Sequence, residues 1–263
     1  MKNACYSWMF ECCAITEAPI LSATTLANDC YKGMFNKCTA LTSIPANMLP
    51  ATTLANSCYS WMFADCTALS TIPTNLLPAE NLVHWCYQNM FKGCSSLLNP
   101  PILSSTHVNY KCYDAMFNGC TSLTSAPELP ATTIAQECYV DMFADCTSLT
   151  AAPDLPATTL TYKCYKNMFA RCTGLTEAPE LPATVLTNLC YDGMFQYCSN
   201  LSSISVSFTD WASILSATQN WVVGVASEGI FTKPDSLSDI RGKHNIPTNW
   251  NVVDKMSLTF TAK

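Results

Sequence analysis

Cysteine is the residue with the most chemical reach in this 263-residue chain, which carries seventeen of them. Thiolates bind soft metals, attack electrophiles and pair as disulfides, and each use demands its own spacing. No Cys-x-x-Cys pair occurs, and the three histidines, His84, His107 and His244, are scattered. Neither a zinc nor an iron–sulfur site is therefore expected, and no cofactor is called for. Cysteines such as Cys112 and Cys120 recur eight residues apart, which on a helix separates them by about 12 Å, too far to bridge. Equivalent cysteines of adjacent units would lie about 5 Å apart, so disulfides between units stay open geometrically. The expectation is two rows of buried thiols, because each cysteine falls on an inward stripe and a free thiol packs as a small hydrophobe. Catalytic arrangements are missing: there is no Gly-x-Ser-x-Gly, no glycine-rich phosphate loop among only eight glycines, and no recurring carboxylate pair. The chain reads as a non-enzyme.

Composition narrows the partners. Charged residues make up 12% and hydrophobic ones 49%, with a net charge of −6. That balance is too apolar for disorder, and it lacks the basic stripe of a nucleic-acid binder. Ser, Thr, Asn and Pro interrupt every apolar stretch before it reaches membrane-spanning length, so no membrane insertion is expected. The N-terminal stretch MKNACYSWMFECC has no apolar core of a secretory signal. The chain is expected to be a fragment, or to reach its destination without that signal.

The elements that position the cysteines are repeats. Cys-Tyr-x-x-Met-Phe begins at Cys5, Cys30, Cys58, Cys86, Cys112, Cys138, Cys164 and Cys190, with spacings of 25, 28, 28, 26, 26, 26 and 26. A fixed period of this size implies stacked units, each burying its apolar face against its neighbours. The two long copies carry extra residues at 46–48 and 74–76, and the short first copy leaves Cys12 and Cys13 as rival counterparts of the second cysteine. Within a unit, Cys112, Tyr113, Met116, Phe117 and Cys120 match one face of a helix. Leu123–Leu129 then suits a brief strand closed by Pro127 and Pro130, and Thr132 or Thr133 could cap the next helical turn. The expected fold is an α/β solenoid of about eight 26-residue units, each a short parallel strand plus a short helix or 3₁₀ turn.

The pattern C-x-x-L-T-x-x-P followed by M-F-x-x-C, as in Met116-Phe117-Asn118-Gly119-Cys120, resembles the BspA-like leucine-rich repeats of bacterial surface proteins. The resemblance runs from Cys5 to about Ser203. It implies a leucine-rich repeat fold, a cell-surface or secreted setting and a role in attachment, without naming a ligand. After Ser203 the repeat breaks down. Residues 220–225 and 229–233 read as short strands, and 246–253 as a turn into a strand. The expected division is a repeat body over 1–203 and a β-rich capping segment over 204–263, since the open end of such a stack needs a cover. Gly-x-Phe-x-Lys followed by Ile-Pro-x-x-Trp-x-Val also resembles the tail that follows such repeats in gut Bacteroides and phage-encoded proteins.

Variable positions are where a repeat scaffold keeps its function. By helical phase the dipeptides between Cys-Tyr and Met-Phe face outward, so Trp8, Trp61, Trp85, Tyr110, Tyr162 and Tyr197 are candidate exposed aromatics for sugar stacking or a protein contact. Shielding of the seams between repeats explains them equally well. The strand positions, Thr42-Ser43, Thr124-Ser125, Thr150 and Thr176, are rich in hydroxyls. The expected function is recognition or adhesion, binding protein or glycan on a host or bacterial surface. A virion protein on the same scaffold is an alternative setting. A second alternative is ice or crystal-surface binding by the Thr24-Thr25, Thr52-Thr53, Thr132-Thr133 and Thr158-Thr159 rows, which Glu80-Asn81 and Thr106-His107 interrupt.

Overall fold

A computed structural model describes residues 1–211 and 216–255. Each repeat contributes one nine-residue rung, from its first cysteine to its second, and the rungs stack in parallel. The helical expectation fails here: no helix forms among the described residues. The rung from Cys112 to Cys120 shows why. Residues 111, 115 and 119 have φ of 51°, 51° and 76°, so every fourth residue is left-handed and a right-handed helix cannot propagate. Amides instead alternate between two tasks. Those of Cys112, Asp114, Met116, Asn118 and Cys120 donate three residues back, to Asn109, Lys111, Tyr113, Ala115 and Phe117. Those of Tyr113, Ala115, Phe117 and Gly119 donate to Cys138, Val140, Met142 and Ala144 of the next rung at 2.8–3.1 Å. The result is a ribbon of overlapping turns in which local and inter-rung bonds share the backbone, satisfying donors that would be costly to bury unpaired.

A period of four rather than about 3.6 still sends Cys, Tyr, Met, Phe and Cys to one side, and all five are buried at Cys112–Cys120. Stacking them builds the core. Tyrosines from Tyr6 to Tyr191 form one ladder with centroids 5.6–6.1 Å apart, and phenylalanines from Phe10 to Phe195 form another at 5.5–5.9 Å. Offset stacking of this kind adds to the gain from burial.

The opposite side of each unit carries two columns of parallel bridges where a single strand was expected. One column passes through Glu17, Ser43 and Thr71, and again through Ser125–Ala151 and Glu177–Ser203. The other links Thr25, Thr53, Asn81 and His107, then continues through β1 (His107–Val108) and β2 (Thr133–Ile134) in parallel register. Thr133 is thus a strand residue, not a helix cap. At the C-terminal end β3 (Ser203–Ser205), β4 (Ile230–Pro234) and β5 (Asn251–Lys255) form a parallel sheet in that order, so pairing crosses residue 204 without a break. Residues 220–225 are not a strand. They belong to a further rung, to which Tyr191, Gly193, Phe195 and Tyr197 donate through Ala217, Gln219, Trp221 and Val223. Against it Phe208, Trp211, Trp221 and Phe231 pack at 5.1–6.2 Å, mostly tilted or edge-on, and the parallel stacking ends.

Candidate ligand-binding surface

The cysteines, where chemistry was sought first, are structural. All seventeen are free thiols, and those from Cys30 onward are buried. From Cys38 onward the second cysteine of a rung donates its thiol to the phenylalanine carbonyl of the preceding rung: Cys120 to Phe91 at 3.2 Å, Cys146 to Phe117 at 3.1 Å and Cys172 to Phe143 at 3.0 Å. Burial pushes the Cys146 thiol up to about 12, which keeps it protonated as its bond requires, and it raises the Cys112 thiol to the same value, removing both as nucleophiles. Cys13 is the true second cysteine of the first rung, because its amide donates to Phe10 as Cys120 donates to Phe117. Cys12 takes the left-handed site beside it, at φ 59°. Among the described residues, no group of three His, Cys, Asp or Glu could hold a metal ion.

The six aromatics separate into three rows. Trp8 and Trp61 occupy the left-handed position between Cys-Tyr and Met-Phe, at φ 57° and 60°. The Trp8 indole lies directly on Gly33 of the next rung, where an added Cβ would come within 2.1 Å of the ring. Trp61 is half-buried and receives the Lys92 ammonium 5.3 Å from its ring centroid. Tyr197 sits at the far end of its rung and covers Gly224, where a Cβ would approach within 2.6 Å. Trp8 and Tyr197 therefore seal seams, although they are 39% and 50% exposed.

Trp85, Tyr110 and Tyr162 share the leading edge of their rungs, with the Cys138 rung between the last two, and Trp85 and Tyr110 meet edge-on at 5.4 Å. His84 packs against both, at 5.7 and 6.1 Å. Beside each tyrosine stands a lysine: Lys111 is 5.6 Å from the Tyr110 centroid and Lys163 is 4.8 Å from that of Tyr162. Between them Lys111 pairs with Glu137 at 3.1 Å. Burial opposes the Lys111 charge, but the bond it donates to Glu137 and the charge of Asp114 outweigh it and raise the pKa. By type alone Lys111, Lys163 and Glu137 carry no signal, since isolated charged residues usually mark a solvated face, and His84 enters only as one of three scattered histidines. The usable signal is position, because all four fall one or two residues before the first cysteine of a rung. The ridge offers aromatic faces, cations and one carboxylate on rigid backbone. It suits stacking and hydrogen bonding, and it holds no nucleophile–base pair.

On the opposite side the Ser/Thr positions point outward, and Thr25, Thr53 and Thr133 share one exposed column interrupted by Asn81 and His107. Lys, Asp and Arg on the turn side pair between rungs, as in Arg171–Asp145 at 2.6 Å and Lys166–Asp192 at 2.7 Å. Among the described residues no helix is long and apolar enough to cross a membrane.

Rungs of period 25–28 bearing parallel bridges define a leucine-rich repeat fold. The family comparison agrees: residues 3–75 and 113–217 match the BspA type leucine rich repeat region, in six copies. The chain belongs to that family. Among solved structures it is similar to a leucine-rich repeat protein from Bacteroides ovatus, at 18% identity and a TM-score of 0.45, over 85% of this chain and 52% of that one. The chain thus spans about half the length of that protein. No curated protein sequence matches.

Proposed function

We propose that this chain is a non-enzymatic recognition module that binds protein or glycan at a bacterial or host surface. Its contact is the ridge from His84 to Lys163. The observation that carries the reading is the Trp85–Tyr110 pair, half-buried and edge-on at 5.4 Å, with His84 and Lys111 against it. Two fixed aromatic faces beside a cation suit a sugar ring or an aromatic peptide side chain, at little entropic cost because the backbone beneath is already ordered. Membership of the BspA-type family supports an attachment role and a cell-surface or extracellular site of action. Residues 1–203 would form the binding body, and the segment from 204 onward would close its end.

The test is binding of labelled full chain to immobilised glycans, mucin and matrix proteins, compared with Trp85→Ala/Tyr110→Ala. Saturable binding weakened about tenfold or more by the double variant is expected, the scale of aromatic hot spots. Binding that survives the double variant would move the site elsewhere. Tyr162→Ala should give a smaller loss on the same ligand, because that ring stands alone on its rung.

A further inference from the structure

The last rung offers a second site of different chemistry. Throughout the stack, amides at the Phe position and two residues beyond it donate to the next rung, as Phe195 does to Trp221 at 2.9 Å and Tyr197 to Val223 at 2.6 Å. In the rung over 217–225 the same two positions are Val222 and Gly224, with Gly224 left-handed at φ 73°. Their N–H groups point away from the preceding rung.

Over the first half of that rung the segment at 244–245 replaces the missing neighbour. Asn220 donates its amide to His244 Nδ1 at 2.9 Å, the Thr218 hydroxyl donates to the His244 carbonyl at 2.7 Å, and Trp221 Nε1 donates to the Asn245 carbonyl at 2.9 Å. Among the described residues no such cover lies over the second half. Among the described residues neither the Val222 nor the Gly224 amide meets an acceptor. A cleft of about 340 Å³ opens there, lined by Val222–Ser227, Gly242, Lys243 and Pro247–Asn249.

Charge and bracing favour an anion. No Asp or Glu lines this cleft. Residues 241–249 hold Arg241, Lys243 and His244 and no carboxylate, in a chain whose net charge is −6. Arg241 holds the far wall by donating to the Trp250 carbonyl at 2.5 Å and the Pro247 carbonyl at 3.3 Å. Trp250 Nε1 ties that wall back to the Ala226 carbonyl at 2.8 Å. Lys243 is exposed at the rim. Unpaired backbone N–H groups lining a concavity are oxyanion donors, and a neighbouring ammonium supplies the countercharge.

We propose that this cleft binds an oxyanion, a carboxylate or a sulfate or phosphate group, with the Val222 and Gly224 amides donating and Lys243 compensating the charge. The site lies two rungs beyond the nearest rung of the aromatic ridge and does not depend on its function.

The experiment is a ¹⁵N–¹H titration of the full chain with sodium sulfate, and separately with sodium acetate, at ionic strength held constant with chloride. Saturable shifts centred on the Val222 and Gly224 amides are expected with at least one of the two. Lys243→Ala should weaken them roughly threefold to fivefold, the scale of one exposed charge pair. Saturation by acetate alone assigns the site to carboxylates, and saturation by sulfate alone assigns it to sulfate or phosphate groups. Shifts at 222 and 224 no larger than in chloride would overturn the proposal. So would saturable shifts indifferent to Lys243→Ala, which would mark an adventitious ion only.

Discussion

The two sides of each repeat obey different rules. On the turn side the stretch from first to second cysteine is nine residues in all eight copies, Cys5–Cys13 included. Every irregularity of period falls elsewhere. The two 28-residue copies place their extra residues between the bridge columns, where Ser43 and Thr53 are ten apart against eight for Ser125 and Thr133. The short first copy loses its residue between Cys13 and Glu17, four apart where Cys120 and Ser125 are five apart. The turn ribbon cannot accept an insertion, because one added residue would reverse which amides point inward and which reach the next rung. The strand side is pinned only at isolated bridges and at corners that include prolines, so a loop there lengthens at small entropic cost.

Substitution should expose the difference most strongly at the aromatic ladder. Phe117 is fully buried between Phe91 and Phe143, at 5.8 and 5.7 Å. Phe117→Ala should lower unfolding free energy by about 3–5 kcal/mol, through lost burial and a cavity that neighbouring rungs cannot close. Thr124→Ala, exposed on the strand side of the same unit, should stay within about 0.5 kcal/mol. Denaturant melts of the two variants measure this, and comparable losses would erase the distinction between the sides.

That distinction explains what could be read from the sequence. The inward set Cys, Tyr, Met, Phe, Cys was legible, since burial depends only on recurrence at offsets 0, 1, 4, 5 and 8. The element was misread because nine residues barely separate a period of four from the helical one. The missing clue lay at the third residue after each first cysteine, which is Gly, Asn or Asp in five of eight copies: Gly33, Asn89, Asp141, Asn167 and Gly193. Those types tolerate a left-handed backbone, and all eight positions adopt one. The candidate site suffered from the same error. Helical phase placed all six aromatics outward alike, whereas the ribbon turns Trp8 and Tyr197 onto glycines and leaves Trp85 and Tyr110 to meet. Only register between rungs, which no single repeat contains, separates the two outcomes.

Proton uptake is a second way to sharpen the contrast, because the turn side buries ionisable groups among its backbone bonds. Burial raises the Asp114 carboxyl to about 6 from its ordinary 3.8, against the opposing bond from Gln88 Nε2 at 2.9 Å. Above that value Asp114 is charged in both folded and unfolded chains, and the folded state bears the full desolvation penalty. As pH falls from 7 toward 4 the folded state takes up its proton first, so stability rises through this group. Asp114→Asn should therefore be more stable than the parent at pH 7.5, by about 1 kcal/mol after solvent screening. The advantage should vanish near pH 4. An advantage independent of pH would assign the gain to packing rather than to ionisation.

The smallest effect carries an opposite sign on the two sides. Lys37 is exposed and left-handed, at φ 58°. A side chain there costs roughly 1–2 kcal/mol of backbone strain, which glycine would release at an entropic cost of about 0.5–1 kcal/mol. Lys37→Gly should therefore stabilise the protein by roughly 0.5–1 kcal/mol. Thr42, exposed just beyond the same rung, has no left-handed backbone to relieve, so Thr42→Gly should destabilise by about 0.5–1 kcal/mol. Paired thermal melts in one buffer read both signs directly. If Lys37→Gly also destabilises, the left-handed residues are not a strain held by the stack, and the fixed length of the rung must come from side-chain packing alone. If the signs differ, a backbone of alternating turns sets the rung, and the aromatic ladders follow from where it points their side chains.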